Sequence, residues 1–121
     1  MKRCLIAEAS EIIRRVARHF IEQAGLEVLE ADTAQDALAL CKQKKPDLLL
    51  LDWRLPGMST VEVLSALRYS GLKRPTVIYW TTDNDGADIA RAIAAGASHY
   101  MIKPFTRADM NETLTQVGIT A

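Results

Sequence analysis

Short apolar runs alternate with longer amphipathic segments along the whole chain. Cys4–Ala7, Val28–Ala31, Leu48–Leu51, Val77–Thr81 and Tyr100–Ile102 read as strands, and the segments between them repeat apolar residues at helical spacing. Ser10 is placed to cap a first helix striped by Ile12, Ile13, Val16, Ala17, Phe20 and Ala24, with Gly25 closing it. Thr33 is placed to cap a second helix carrying Ala37, Leu38 and Cys41, which must end before Pro46. A third helix follows the Pro56-Gly57 loop and carries Val61, Leu64 and Leu67. Ile89, Ile93 and Ala94 stripe a fourth, stopped by Gly96, and Met110, Leu114 and Val117 mark a fifth. Strict alternation of strand and helix predicts an α/β fold with a parallel sheet. Leu48–Leu51 shows no polar alternation, so both its faces must be covered, which places it centrally.

Length and charge narrow the function. At 121 residues the chain fits one compact domain, taken as residues 1–121 with no output domain attached. Fifteen Lys and Arg balance fifteen Asp and Glu, which argues against nucleic acid as a partner, because that affinity rests on neutralising phosphates. The basic run Lys42, Lys44 and Lys45 reads as a solvated helix end. No apolar run approaches the length of a membrane span. The apolar stretch after Met1-Lys2-Arg3 turns polar at Glu8, too soon for a secretion signal, so a cytoplasmic protein is expected. Cys4 and Cys41 lie in apolar patterns and are expected to be reduced core residues.

The chemistry gathers at the strand ends. In open parallel sheets, ligands bind beyond the carboxyl ends of the strands, near the point where strand order reverses. There the chain places Glu8, Asp52, Thr81-Thr82 and Lys103. Two carboxylates, two hydroxyls and an ammonium suit a divalent cation and a phosphoryl group. Read singly, Asp52 is a polar strand stop and Lys103 a solvated loop residue; together they make a rim of complementary charge.

The segments Leu5-Ile6-Ala7-Glu8, Leu49-Leu50-Leu51-Asp52-Trp53-Arg54-Leu55-Pro56, Thr81 and Ala95-Gly96-Ala97-Ser98-His99-Tyr100-Met101-Ile102-Lys103-Pro104-Phe105 resemble a CheY-like receiver domain of two-component response regulators. The resemblance covers essentially the whole chain. It implies strand order 2-1-3-4-5, the order the general rule for such sheets gives with CheY as its example. It also implies that Asp52 accepts a phosphoryl group from a histidine kinase, a phosphotransfer protein or a small phosphodonor. Glu8, Asp52 and the backbone carbonyl of Arg54 would hold Mg²⁺, Lys103 would pair with the phosphoryl group, and Thr81 and Tyr100 would form the switch. Lys103-Pro104 would be a cis peptide. The implied protein is a signalling component and not an enzyme with a released product, monomeric or weakly dimeric, with a downstream protein target and no membrane partner.

The sequence departs from that pattern at two places. Ala9 stands where receivers usually carry an aspartate that binds Mg²⁺ directly, so weakened Mg²⁺ binding is expected. Ser59-Thr60 replaces the usual Asp-Gly, although Ser59 can still cap a helix. Arg54 is either a surface residue or folds over the carboxylates in place of metal. These departures keep open a second reading, a pseudo-receiver that binds partners independently of phosphorylation. A nucleotide- or flavin-binding enzyme is the weakest reading, because the chain has neither G-x-x-x-x-G-K-[ST] nor G-x-G-x-x-G.

Overall fold

A computed structural model describes residues 2–71, 73–82 and 86–120. The elements alternate without exception: β1 (Arg3–Ala7), α1 (Glu11–Gln23), β2 (Glu27–Ala31), α2 (Ala34–Lys44), β3 (Leu48–Asp52), α3 (Thr60–Arg68), β4 (Thr76–Thr81), α4 (Gly86–Ala95), β5 (His99–Ile102) and α5 (Arg107–Gln116). All strand pairs are parallel, in the order β2-β1-β3-β4-β5. The topology expected from the resemblance is the one observed.

The pleat sorts the core into two layers, because successive side chains leave a strand on opposite faces. Leu5, Ala7, Leu49, Leu51, Val77 and Tyr79 pack on one face with Ala37 and Cys41 of α2, Val63, Leu64 and Leu67 of α3, and Ala92 of α4. Cys4, Ile6, Leu48, Leu50, Ile78 and Trp80 pack on the other with Ala17 and Ile21 of α1 and Met110 and Leu114 of α5. Every residue of β3 is buried, as its unbroken aliphatic run requires. Both cysteines are free and buried. Burial disfavours the thiolate and pushes the Cys41 thiol up to about 11. Among the described residues no helix is long and apolar enough to cross a membrane.

Local chemistry sets the helix ends. The Ser10 hydroxyl accepts from the Ile13 amide and that of Thr33 from the Asp36 amide. Lys45, at φ 47°, turns the chain out of α2 before Pro46. Ser59 and Glu62 form a reciprocal capping box at α3; a second box, Thr106 with Asp109, opens α5.

The stripes of α2 and α5 turn inward as expected, whereas those of α1, α3 and α4 do so only in part. In α1, Ile12 is 75% and Val16 43% exposed, while Ile21 is buried beside Ala17. In α3, Val61 is exposed and Val63 buried; in α4, Ile93 and Ala94 are exposed and Ala92 faces the sheet. Each of these helices carries more aliphatic residues than the sheet can cover. Spacing alone does not say which of two adjacent stripes turns inward.

Candidate functional site

Strand order reverses between β1 and β3, opening a crevice at their carboxyl ends. Glu8 enters it directly after β1, and Asp52 is the last residue of β3; they are 2% and 3% exposed. The Glu8 amide donates to the Ala31 carbonyl at 3.0 Å, continuing the β1–β2 ladder by one bond and holding Glu8 at the rim. The Trp53 amide likewise donates to the Trp80 carbonyl at 3.0 Å and ties the Asp52 strand end to β4. The Lys103 amide donates to the Thr81 carbonyl at 2.8 Å, which brings the loop after β5 over the same crevice. The Lys103-Pro104 bond is cis.

The Lys103 ammonium joins the two carboxylates. Its Nζ donates to Asp52 Oδ1 at 2.8 Å and to Glu8 Oε1, with the lysine side chain 8% exposed. The second Glu8 oxygen accepts from the Ser10 amide at 3.0 Å. Burial pushes the Asp52 carboxyl above the usual aspartate range; the Lys103 ammonium opposes that rise and the Glu8 carboxylate adds to it. Asp52 therefore has reduced solvation and faces one cation, the Lys103 ammonium.

Thr81 closes β4 beside this cluster and is 2% exposed. Tyr100 stands apart on the rim of β5, 39% exposed, its ring edge-on to His99 at 5.5 Å. Arg54 does not fold over the carboxylates. Its guanidinium stacks on the Trp53 ring, 4.4 Å from the centroid, and Lys103 takes the neutralising position instead. Ala9 is exposed and offers only its backbone carbonyl, which accepts from Arg14 at 3.2 Å. Arg14 also binds the Glu8 carbonyl at 2.8 Å and pairs with Glu30 at 3.1 Å, so it braces the loop that carries Glu8.

Two buried carboxylates are hard oxygen donors of the kind that Mg²⁺ takes together with water. Among the described residues there is no cluster of three or more His, Cys, Asp or Glu side chains that could hold a metal. The protein's anionic donors at this point are Glu8 and Asp52.

One residue of the site was not legible as such. Trp80 lies beneath the cluster, fully buried, with Lys103 Nζ 4.5 Å from its ring centroid. Its Nε1 is buried and has no hydrogen-bond partner among the described residues. The only sequence signal was position: a large aromatic one residue before Thr81, at the end of a strand, where it is easily read as core.

Comparison with known proteins is consistent along nearly the whole chain. The family described as "Response regulator receiver domain" matches residues 4–115. The sensor histidine kinase AruS of Pseudomonas aeruginosa is 37% identical over 117 residues, covering 94% of this chain and 12% of that protein. The phosphate regulon transcriptional regulatory protein PhoB of the same organism is 34% identical over 96% of this chain and 51% of its own length. The chain thus spans about half or less of these two relatives. Chemotaxis protein CheY-3 of Vibrio cholerae is 30% identical, with 93% of this chain and 88% of that protein aligned. Among solved structures, chemotaxis response regulator CheY4 of Vibrio cholerae superimposes with a TM-score of 0.89 at 29% identity, covering 97% of this chain and 98% of that one.

Proposed function

The chain belongs to the response regulator receiver family, and on that premise we propose that it acts in phosphorelay signalling by accepting a phosphoryl group on Asp52. The observation that carries this reading is the Lys103 ammonium shared between Asp52 and Glu8 in a buried crevice. An Asp52 oxygen attacks the phosphorus of a phosphohistidine or a small phosphodonor. The new P–O bond replaces the P–N or P–O bond to the leaving group, which departs with the electron pair and takes up a proton. Lys103 stays beside the acceptor and neutralises the arriving phosphoryl oxygens, and the Thr81 hydroxyl supplies a donor to them. Mg²⁺, when bound, adds neutralising charge; Glu8, Asp52 and the Arg54 carbonyl would hold it, weakly, because Ala9 contributes no carboxylate.

Phosphorylation then biases Thr81 and Tyr100 and reshapes the face of α4, β5 and α5 for a downstream protein. The upstream partner is a histidine kinase or a phosphotransfer protein. In this reading residues 1–121 form one cytoplasmic receiver domain, monomeric or weakly dimeric, with neither nucleic acid nor a membrane as its partner. Its product is a signalling state and not a released metabolite.

Ala9 also supports a second reading, a pseudo-receiver whose crevice is neutralised by Lys103 and which binds its partner without phosphorylation. Titration with Mg²⁺, with and without the phosphoryl mimic beryllofluoride, separates the two when followed by tryptophan fluorescence. A saturable response that disappears in Asp52→Asn supports phosphoryl acceptance. No response at millimolar Mg²⁺, even after Ala9→Asp, favours the pseudo-receiver.

A further inference from the structure

We propose that Trp80 is a positioning residue: its indole face holds the Lys103 ammonium at the junction of Glu8 and Asp52. The claim deepens the phosphoryl-acceptor reading and, for its functional consequence, rests on it. A lysine carries its charge on a flexible four-carbon stem, so a fixed ammonium needs walls. Here the two carboxylates supply one wall, and the Trp80 ring, 4.5 Å from Nζ, supplies another. The negative face of an aromatic ring attracts a cation, and more strongly where water is excluded. Both partners meet that condition, since Trp80 is fully buried and the Lys103 side chain is 8% exposed.

The ring is itself held in place. Phe105 meets it edge-on at 5.1 Å, and Phe20 of α1 meets Phe105 edge-on at 5.7 Å. Phe105 lies two residues after Lys103, so the loop that carries the lysine also clamps the ring beneath it. Among the described residues Nε1 has no hydrogen-bond partner, so the aromatic contacts set the orientation of the indole. This ring presents its face to a cation. Trp80 is also paired in register with Asp52, and its carbonyl accepts the Trp53 amide. One residue thus aligns the acceptor strand through its backbone and the neutralising lysine through its ring.

Trp80→Leu keeps apolar bulk and removes the π face; Trp80→Phe keeps the face and removes Nε1. The Lys103 Hε resonances of the full chain, read by ¹H–¹³C NMR, should be shifted upfield by the ring current in the wild type and in Trp80→Phe, and return to ordinary lysine values in Trp80→Leu. Beryllofluoride affinity in the presence of Mg²⁺ should fall on the order of tenfold in Trp80→Leu and stay within about threefold in Trp80→Phe. Urea midpoints of both variants track the packing loss, which a purely structural role would share between them. Ordinary Lys103 shifts in the wild type, or equal beryllofluoride affinities in the two variants, overturn the proposal. If the wild type shows no Asp52-dependent beryllofluoride response, the phosphoryl-acceptor reading fails by itself, and the Lys103 shifts alone decide whether Trp80 holds the ammonium.

Discussion

Lys103 Nζ lies 2.8 Å from Asp52 Oδ1, joining residues 51 positions apart at the carboxyl ends of two strands that are not neighbours in the sheet. The same ammonium binds Glu8, so one cation serves two buried carboxylates. The electrostatics of the crevice depend on it.

Lys103→Met should therefore destabilise the fold at neutral pH by about 3 kcal/mol, because it leaves buried charge uncompensated. The deficit should shrink in acid as the carboxylates take up protons. Urea unfolding at neutral and acidic pH checks both parts, and a pH-independent deficit would point to lost packing of the lysine stem instead.

Ala9→Asp returns a carboxylate to the loop after β1 and should tighten Mg²⁺ binding by about tenfold, in line with the usual effect of one supporting group at a metal site. Trp53 adjoins Asp52 and reports the titration by fluorescence. Unchanged affinity would mean that the Arg14-braced loop holds position 9 away from the metal.

The Ser59 hydroxyl accepts from the Glu62 amide at 3.1 Å, and the Ser59 amide donates to the Glu62 carboxylate at 3.1 Å. Ser59→Ala should cost about 1 kcal/mol, measured by urea denaturation. Because this cap opens α3 at the end of the loop that follows Asp52, a loss of that size should leave beryllofluoride binding intact unless the loop moves with it.

Asp47 accepts from the Arg3 amide at 2.9 Å and from the Lys73 ammonium at 3.0 Å. Chiefly the Arg3 amide, and then Lys73, hold its carboxyl below the usual aspartate range. A lowered folded pKa adds stability above the unfolded value of 3.8, and that stability is lost as pH falls through the folded value. Asp47→Asn should be less stable than the wild type at pH 7, and the gap should close on acidification. A gap that persists at low pH would assign the effect to geometry and not to charge.

The alternation of strands and helices, the central place of Leu48–Leu51 and the strand-end positions of Glu8, Asp52, Thr81 and Lys103 were legible in the residues alone. Each follows from a short-range rule: a period of two or 3.6, a cap, or a glycine or proline stop. The caps at Ser10, Thr33 and Ser59 belong to the same class, because a cap is decided within one turn of chain. Which stripe of α1 or α4 turns inward was not legible, since Ile12 and Ile93 are as apolar as their buried neighbours and only the docked sheet distinguishes them. Nor was the partner of Arg54, which finds the Trp53 ring while Lys103 reaches the carboxylates first. Trp80 shows the division most clearly. Its residue type and its place in a strand lie on the page of the sequence, yet its contact with Lys103 exists only because β4 and the loop after β5 are packed together. Local periodicity determines which elements form and what each presents at its end. Only the packed sheet brings charges distant in sequence within hydrogen-bond reach and out of water, where their interaction is strengthened.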